Sequence, residues 1–119
     1  MKILLVDDDD GVRGALLAML RYKGHAVDEA AGAEEALLKF CGEYDLVISD
    51  IHLKKMDGIA LLERMHGSDP QVPVIMITGY GSPEIEEECR KKGALGFLHK
   101  PFNVNALLNL VEQQGKKPG

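Results

Sequence analysis

A chain of 119 residues is long enough to bury a hydrophobic core without disulfide or metal staples, and its length fits one domain. Its 14 basic and 19 acidic residues leave a formal charge of −5, which argues against direct binding of nucleic acid because phosphate recognition needs a basic face. No apolar run approaches the length of a membrane span, and no basic start leads into an apolar signal region.

Strand and helix signals alternate along the chain. Ile3–Val6 is an apolar strand that runs into Asp7 and Asp8. Val12, Ala15, Leu16, Met19 and Leu20 then recur at helical spacing, Gly24 supplies a stop, and Asp9 and Asp10 are assigned to capping the helix start. Ala26–Glu29 is a short strand, the weakest of the five, and delivers no obvious chemistry. Ala33 to about Phe40 reads as a helix with Ala36, Leu37 and Phe40 inward. Leu46–Ser49 is a continuous apolar run of the kind buried on both faces, and it ends at Asp50. Asp57-Gly58 reads as turn and helix entry, followed by Ile59, Leu62 and Met65 on one face and a turn at Gly67-Ser68-Asp69-Pro70. Val74–Ile77 is the next buried strand, ending at Thr78. Ser82, Pro83 and Glu84 have the chemistry of an N-cap, a first-turn proline and a first-turn acid, and Gly93 closes that helix. Phe97–His99 is the last strand, ending at Lys100. Asn103 caps a final helix carrying Val104, Leu107, Leu108 and Val111.

Five strand–helix units with short connections require an α/β fold, a parallel sheet covered on both faces. The first and third strands carry the densest acidic signals and are placed side by side at the switch point, giving the strand order 2-1-3-4-5. In such a sheet the carboxyl ends of the strands share one edge, where ligands bind. Asp7, Asp8, Asp50, Thr78 and Lys100 would therefore meet in one cleft. Three carboxylates at that distance repel, and a hard divalent cation such as Mg²⁺ resolves the conflict with oxygen ligands while keeping several waters. Lys100 is a mobile point charge suited to a phosphate oxygen, and Thr78 offers a hydroxyl donor.

These residues resemble the receiver domains of two-component response regulators. The matching segments are Leu4-Leu5-Val6-Asp7-Asp8, Val47-Ile48-Ser49-Asp50, Met56-Asp57-Gly58, Ile75-Met76-Ile77-Thr78-Gly79 and Lys100-Pro101-Phe102, in order, from Lys2 to about Gln113. The resemblance implies a flavodoxin-like, doubly wound (βα)5 three-layer sandwich. Residues 1–114 form the receiver domain, with a linker-like tail at 115–119. It implies that Asp50 accepts a phosphoryl group from a phosphohistidine of a sensor histidine kinase or a phosphotransfer protein. Asp8 matches a direct Mg²⁺ ligand and Asp7 the acid that holds metal-bound water. Asp50 itself and the backbone carbonyl of His52 complete the protein's share of the metal shell. Thr78 matches the hydroxyl residue that closes on the phosphoryl group, Phe97 the aromatic switch position, and Lys100 the site lysine, with a cis Lys100–Pro101 bond. The ring of Phe97 has no hydroxyl, so its inward and outward states differ in packing alone.

The resemblance further implies a changed face on the fourth helix, fifth strand and fifth helix that controls an output domain or partner. On this reading the chain is no enzyme toward an outside substrate, but a phosphoacceptor that promotes its own phosphorylation and dephosphorylation. His52 and Tyr80, two residues beyond Asp50 and Thr78, are expected to tune the dephosphorylation rate through water access.

A rival reading rests on Asp8, Asp10 and Gly11, a D-x-D-G string after an apolar strand that resembles the nucleophile motif of haloacid-dehalogenase-type Mg²⁺ phosphatases. Asp8 would be nucleophile and Asp10 general acid. The late acidic metal motif of that family is missing, since Glu112 is the only carboxylate after Lys100, and Asp50 would have no task. Cys41 and Cys89 each follow a helical stripe and lie in no C-x-x-C, which reads as two buried thiols in a reducing cytoplasm. His25, His52, His66 and His99 are scattered and suggest no metal site. Leu107, Leu108, Leu110 and Val111 span more than one narrow stripe. They fit either a final helix buried all round or one that meets a partner, including a second copy on phosphorylation. The segments 78–82 and 97–102 look like those of receivers attached to enhancer-binding transcription activators or sensor kinases.

Overall fold

The computed structural model describes residues 1–40, 43–79, 82–101 and 103–115. In chain order the elements are β1 (Lys2–Val6), α1 (Asp10–Tyr22), β2 (Ala26–Ala30), α2 (Ala33–Lys39), β3 (Leu46–Asp50), α3 (Gly58–Ser68), β4 (Val74–Thr78), α4 (Pro83–Lys91), β5 (Gly96–His99) and α5 (Val104–Gly115). The strands form one parallel sheet in the order β2-β1-β3-β4-β5, the expected doubly wound topology.

Side-chain alternation along β1 builds the three layers. Ile3 and Leu5 join Ile48, Ile75 and Ile77 on the face covered by α1, through Leu16 and Leu20, and by α5, through Leu107 and Val111. Leu4 and Val6 point the other way, with Val47, Val74 and Met76, under Ala36 of α2, Leu61, Leu62 and Met65 of α3, and Cys89 of α4. Strands β3 and β4 are buried at every position, as runs without polar alternation require. Each fully buried Leu or Ile contributes about 1.5–3 kcal/mol, so these two layers hold the fold together. Exposed pairs such as Lys91–Glu87, 3.5 Å apart, add only about 0–1 kcal/mol.

Helix ends follow from local chemistry. Asp9 accepts from the Val12 amide at 3.0 Å, Asp57 from Ala60 at 2.8 Å, and Ser82 from Ile85 at 3.2 Å with Pro83 next to it. Asn103 Oδ1 accepts from the Asn105 amide at 2.7 Å. Gly24 at φ 93° and Gly93 at φ 98° take the left-handed conformation just past α1 and α4, where a side chain would be strained. Two details differ from the periodicity reading. Helix α2 stops at Lys39, so Phe40 is its extended C-cap, stacked on Tyr44 with ring centroids 6.3 Å apart. Ala15 is exposed, because Leu16 and Leu20 already fill the inward face of α1.

Cys89 is a buried free thiol, and burial, with Glu88, Asp57 and Glu86 nearby, pushes its pKa up. In α5, Leu107 and Val111 are buried, Leu108 and Leu110 pack partly against the same layer, and Val104 stays exposed. The expectations for Cys41, Tyr80, Gly81, Phe102 and residues 116–119 lie outside the described residues. Among the described residues, no helix is long and apolar enough to cross a membrane.

Candidate functional site

Because all strands are parallel, their carboxyl ends deliver side chains to one edge. Asp7 follows β1, Asp50 and Thr78 close β3 and β4, and Lys100 follows β5. The register pairs Asp50 with Ile77 and Thr78 with His99, which keeps the ends level. Backbone bonds lock each residue in place. The Asp7 amide donates to Ala30 O at 3.1 Å, the Ile51 amide to Ile77 O at 2.9 Å, and the Lys100 amide to Thr78 O at 2.7 Å. The Lys100–Pro101 bond is cis, as the resemblance implied.

Helix α3 starts hard against this edge. The Gly58 amide donates to Ile51 O at 2.6 Å, and a Cβ at Gly58 would lie 2.7 Å from Ile51 Cα and clash with the Asp50 carbonyl. Gly58 is thus required by close approach to the strand that carries Asp50. The sequence pattern indicates the turn and helix entry there, but not this close approach.

Asp7, Asp8 and Asp50 each place an oxygen within 4.8 Å of the others. Asp7, Asp50 and Thr78 are buried, while Asp8 is half-buried. Lys100 Nζ donates to Asp50 Oδ2 at 2.7 Å and to Asp7 Oδ2 at 3.2 Å. The remaining oxygens meet backbone donors: the Asp9 amide bonds Asp7 Oδ1 and the His52 amide bonds Asp50 Oδ1, each at 2.9 Å. Burial pushes the Asp7 pKa up, helped by the Asp50 charge and opposed by the Asp9 amide and Lys100. For Lys100, burial alone would lower the pKa, but the bond to Asp50 and the charges of Asp7 and Asp50 outweigh it and raise the value. The ammonium therefore stays charged, yet among the described residues one cation faces a cluster of three carboxylates. That surplus of hard oxygen donors suits a hard divalent cation.

Asp8, Asp9, Asp50, His52, Gly79 and Lys100 line a cleft of about 380 Å³, ample for a phosphoryl group. Asp9, assigned to capping, both caps α1 and lines the cleft. His52 is exposed at the rim. Asp10 is absent from the lining: its exposed carboxylate pairs with Arg13 at 2.6 Å. The acid that a phosphatase would need is turned away. Phe97 is half-buried on the Met76 side of the sheet, and its ring meets that of His99 edge-on at 5.0 Å. A second, larger groove of about 670 Å³ runs between α4 and β5, lined by Pro83, Glu86, Glu87, Arg90, Lys91 and His99.

The sequence matches the family described as the response regulator receiver domain over residues 3–112. The chain belongs to that family. This sets aside the phosphatase reading. The receiver domain is 40% identical to the response regulator protein FleR of Pseudomonas aeruginosa, a match that covers 99% of this chain and 26% of FleR. It is 34% identical to the sensor kinase CckA of Brucella abortus, covering 97% of this chain and 12% of CckA. Among solved structures it is similar to a CheY-like receiver domain protein of Methanospirillum hungatei, with a TM-score of 0.90 at 35% identity, over 98% of each chain. It is also similar to a chain in the CheX–CheY–BeF3–Mg²⁺ complex of Borrelia burgdorferi, with a TM-score of 0.91 at 32% identity, over 98% of this chain and 90% of that one. The receiver domain spans about a quarter, or less, of the length of these two curated relatives.

Sequence reasoning passed over Arg13. Arg13 Nη1 donates to the Asp7 carbonyl at 2.7 Å, and the same guanidinium meets Glu29 at the end of β2. A signal was available: an arginine one turn inside a helix start sits where the helix dipole disfavours a cation, so it must answer to nearby anions.

Proposed function

We propose that the receiver domain is a phosphorylation switch in which Asp50 is the phosphoacceptor. The observation that carries this is the position of Asp50, buried at the end of β3 with Lys100 Nζ at 2.7 Å and one of its oxygens within 4.8 Å of an oxygen each from Asp7 and Asp8. A carboxylate oxygen of Asp50 forms the new O–P bond. The N–P bond of a phosphohistidine breaks, and the imidazole of the donor leaves with the electron pair. The donor is a sensor histidine kinase or a phosphotransfer protein. Asp7, Asp8, Asp50 and the His52 carbonyl would hold Mg²⁺, which offsets charge on the phosphoryl oxygens. Similarity to a chain solved in a complex with BeF3 and Mg²⁺ supports that choice of cation.

Lys100 supplies the second positive charge, and stabilising the transferring charge is the main lever in such chemistry. Its ammonium now bonds two carboxylates and can pass to a phosphoryl oxygen without leaving the cleft. The Thr78 hydroxyl closes on another phosphoryl oxygen, and Phe97 moves into the space it leaves. The α4–β5–α5 face then changes. Helix α4 is suited to this, because Cys89 is its one buried residue and Ile85 packs only partly. Its groove against β5 is the place for an output domain or partner, or for a second phosphorylated copy. We place the domain in the cytoplasm, without direct contact to nucleic acid, given its buried free thiol and acidic balance. Water later attacks the acyl phosphate and resets the switch, at a rate tuned by His52 at the rim and by Tyr80.

Mass spectrometry after incubation with acetyl phosphate and Mg²⁺ tests this. One base-labile, acid-stable phosphoryl adduct is expected, absent in Asp50→Asn and decaying at an altered rate in His52→Ala. An adduct that survives Asp50→Asn but not Asp8→Asn would overturn the assignment of the acceptor. An unchanged decay in both His52→Ala and Tyr80→Ala would remove the rate-tuning role.

A further inference from the structure

We infer that Arg13 is a positioning residue for the acidic cleft: it clamps the Asp7 carbonyl so that Asp7 and Asp8 are held ready for a divalent cation. This deepens the switch reading above and rests on it.

Arg13 occupies an unfavourable place. It lies in the first turns of α1, where exposed amides give the helix end partial positive charge. Its side chain is nevertheless only 14% exposed. Three hydrogen bonds to three parts of the fold account for this. Nη1 donates to the Asp7 carbonyl at 2.7 Å, Nε to Glu29 Oε1 at 2.9 Å, and Nη2 to Asp10 Oδ1 at 2.6 Å. A planar fork with five donors on three nitrogens can reach three separated acceptors in fixed directions, whereas the three donors of a lysine radiate from one nitrogen.

The Asp7 carbonyl is the informative acceptor. Ties to Glu29 and Asp10 alone would fasten α1 to β2 and would be ordinary architecture. The bond to Asp7 adds something else, since the peptide it grips joins two of the three clustered carboxylates. The Asp7 amide is already fixed to Ala30 O at 3.1 Å, and its carboxylate to the Asp9 amide and Lys100. With the carbonyl clamped as well, the peptide plane leading to Asp8 is held, which fixes the backbone from which the Asp8 side chain enters the cluster. Glu29, on the one strand that lends no group to the cleft itself, is the buttress that aims the guanidinium. Groups that orient metal ligands in this way typically change metal affinity about 10–100-fold when removed.

The test is a Mg²⁺ titration of the whole chain followed by amide NMR shifts at Asp8, Asp50 and His52, for the native chain, Arg13→Gln and Glu29→Gln. The Mg²⁺ midpoint should rise about tenfold or more in Arg13→Gln, and by less in Glu29→Gln, while both spectra stay dispersed. Should Arg13→Gln fail to fold, the Glu29→Gln shift alone decides. Midpoints equal to the native value, with only thermal stability lowered, would make Arg13 purely structural and overturn the proposal. Native amides that ignore Mg²⁺ would overturn the cation reading itself, and the proposal with it.

Discussion

At the scale of single residues, charge and burial decide the behaviour of the cleft. Lys100 Nζ sits 2.7 Å from Asp50 and 3.2 Å from Asp7, so the same ammonium that relieves the acidic cluster is aimed at the carboxylate proposed as phosphoacceptor. At His25 burial outweighs the opposing charge of Glu112. His25 Nδ1 lies 3.2 Å from the N-terminal ammonium. Burial first, and that positive charge second, hold its pKa below the ordinary value of 6.5. The folded chain therefore takes up this proton less readily than the unfolded chain. The stability linked to His25 is fully present above about pH 6.5 and is lost as pH falls from there through the lower folded value. Urea midpoints compared at pH 7 and pH 5.5 should fall less in His25→Gln than in the native chain. Equal losses would show that His25 contributes nothing to acid sensitivity.

At the scale of elements, two glycines in helices should behave oppositely. Gly14 lies in α1, and a methyl group added there would meet nothing within 4 Å, so Gly14→Ala should stabilise by about 1 kcal/mol through helix propensity. Gly58 opens α3 against Ile51 and Asp50, and Gly58→Ala should destabilise by about 1–3 kcal/mol through overcrowding. Denaturant unfolding measures both, and a stabilised Gly58→Ala would contradict the close packing of α3 on β3. The same elements show what could be read from the chain. Asp7, Asp8, Asp50, Thr78 and Lys100 were legible because each follows or ends an apolar run, and parallel strands carry such positions to one edge. Asp9, Asp57 and Ser82 were legible as caps because their bonds reach only three residues ahead. Arg13 was not, since its partner Glu29 lies 16 residues away on the weakest strand. Tyr44 likewise is buried through a bond to Asp28 at 2.7 Å that no periodicity announces. Phe40 misled because an apolar residue in phase with a helix can also be its cap.

At the scale of the whole molecule, the proposed switch depends on a local event at Asp50 reaching α4. A physical route exists. Asp50 is paired in register with Ile77, next to Thr78, whose carbonyl binds the Lys100 amide at the end of β5. Beside Lys100, His99 meets the Phe97 ring at 5.0 Å and lies 3.8 Å from Glu86 of α4. In the proposed switch, a helix anchored by so few apolar side chains is the element that a charge event would bias. The most direct measurement is an amide NMR spectrum of the chain with Mg²⁺, before and after acetyl phosphate, for the native protein and Asp50→Asn. Shifts are predicted at Thr78, Phe97, His99 and along Glu84–Lys91 in the native chain, and none at those positions in Asp50→Asn. The same shifts in both proteins, or native shifts confined to the cleft, would contradict a switch thrown at Asp50.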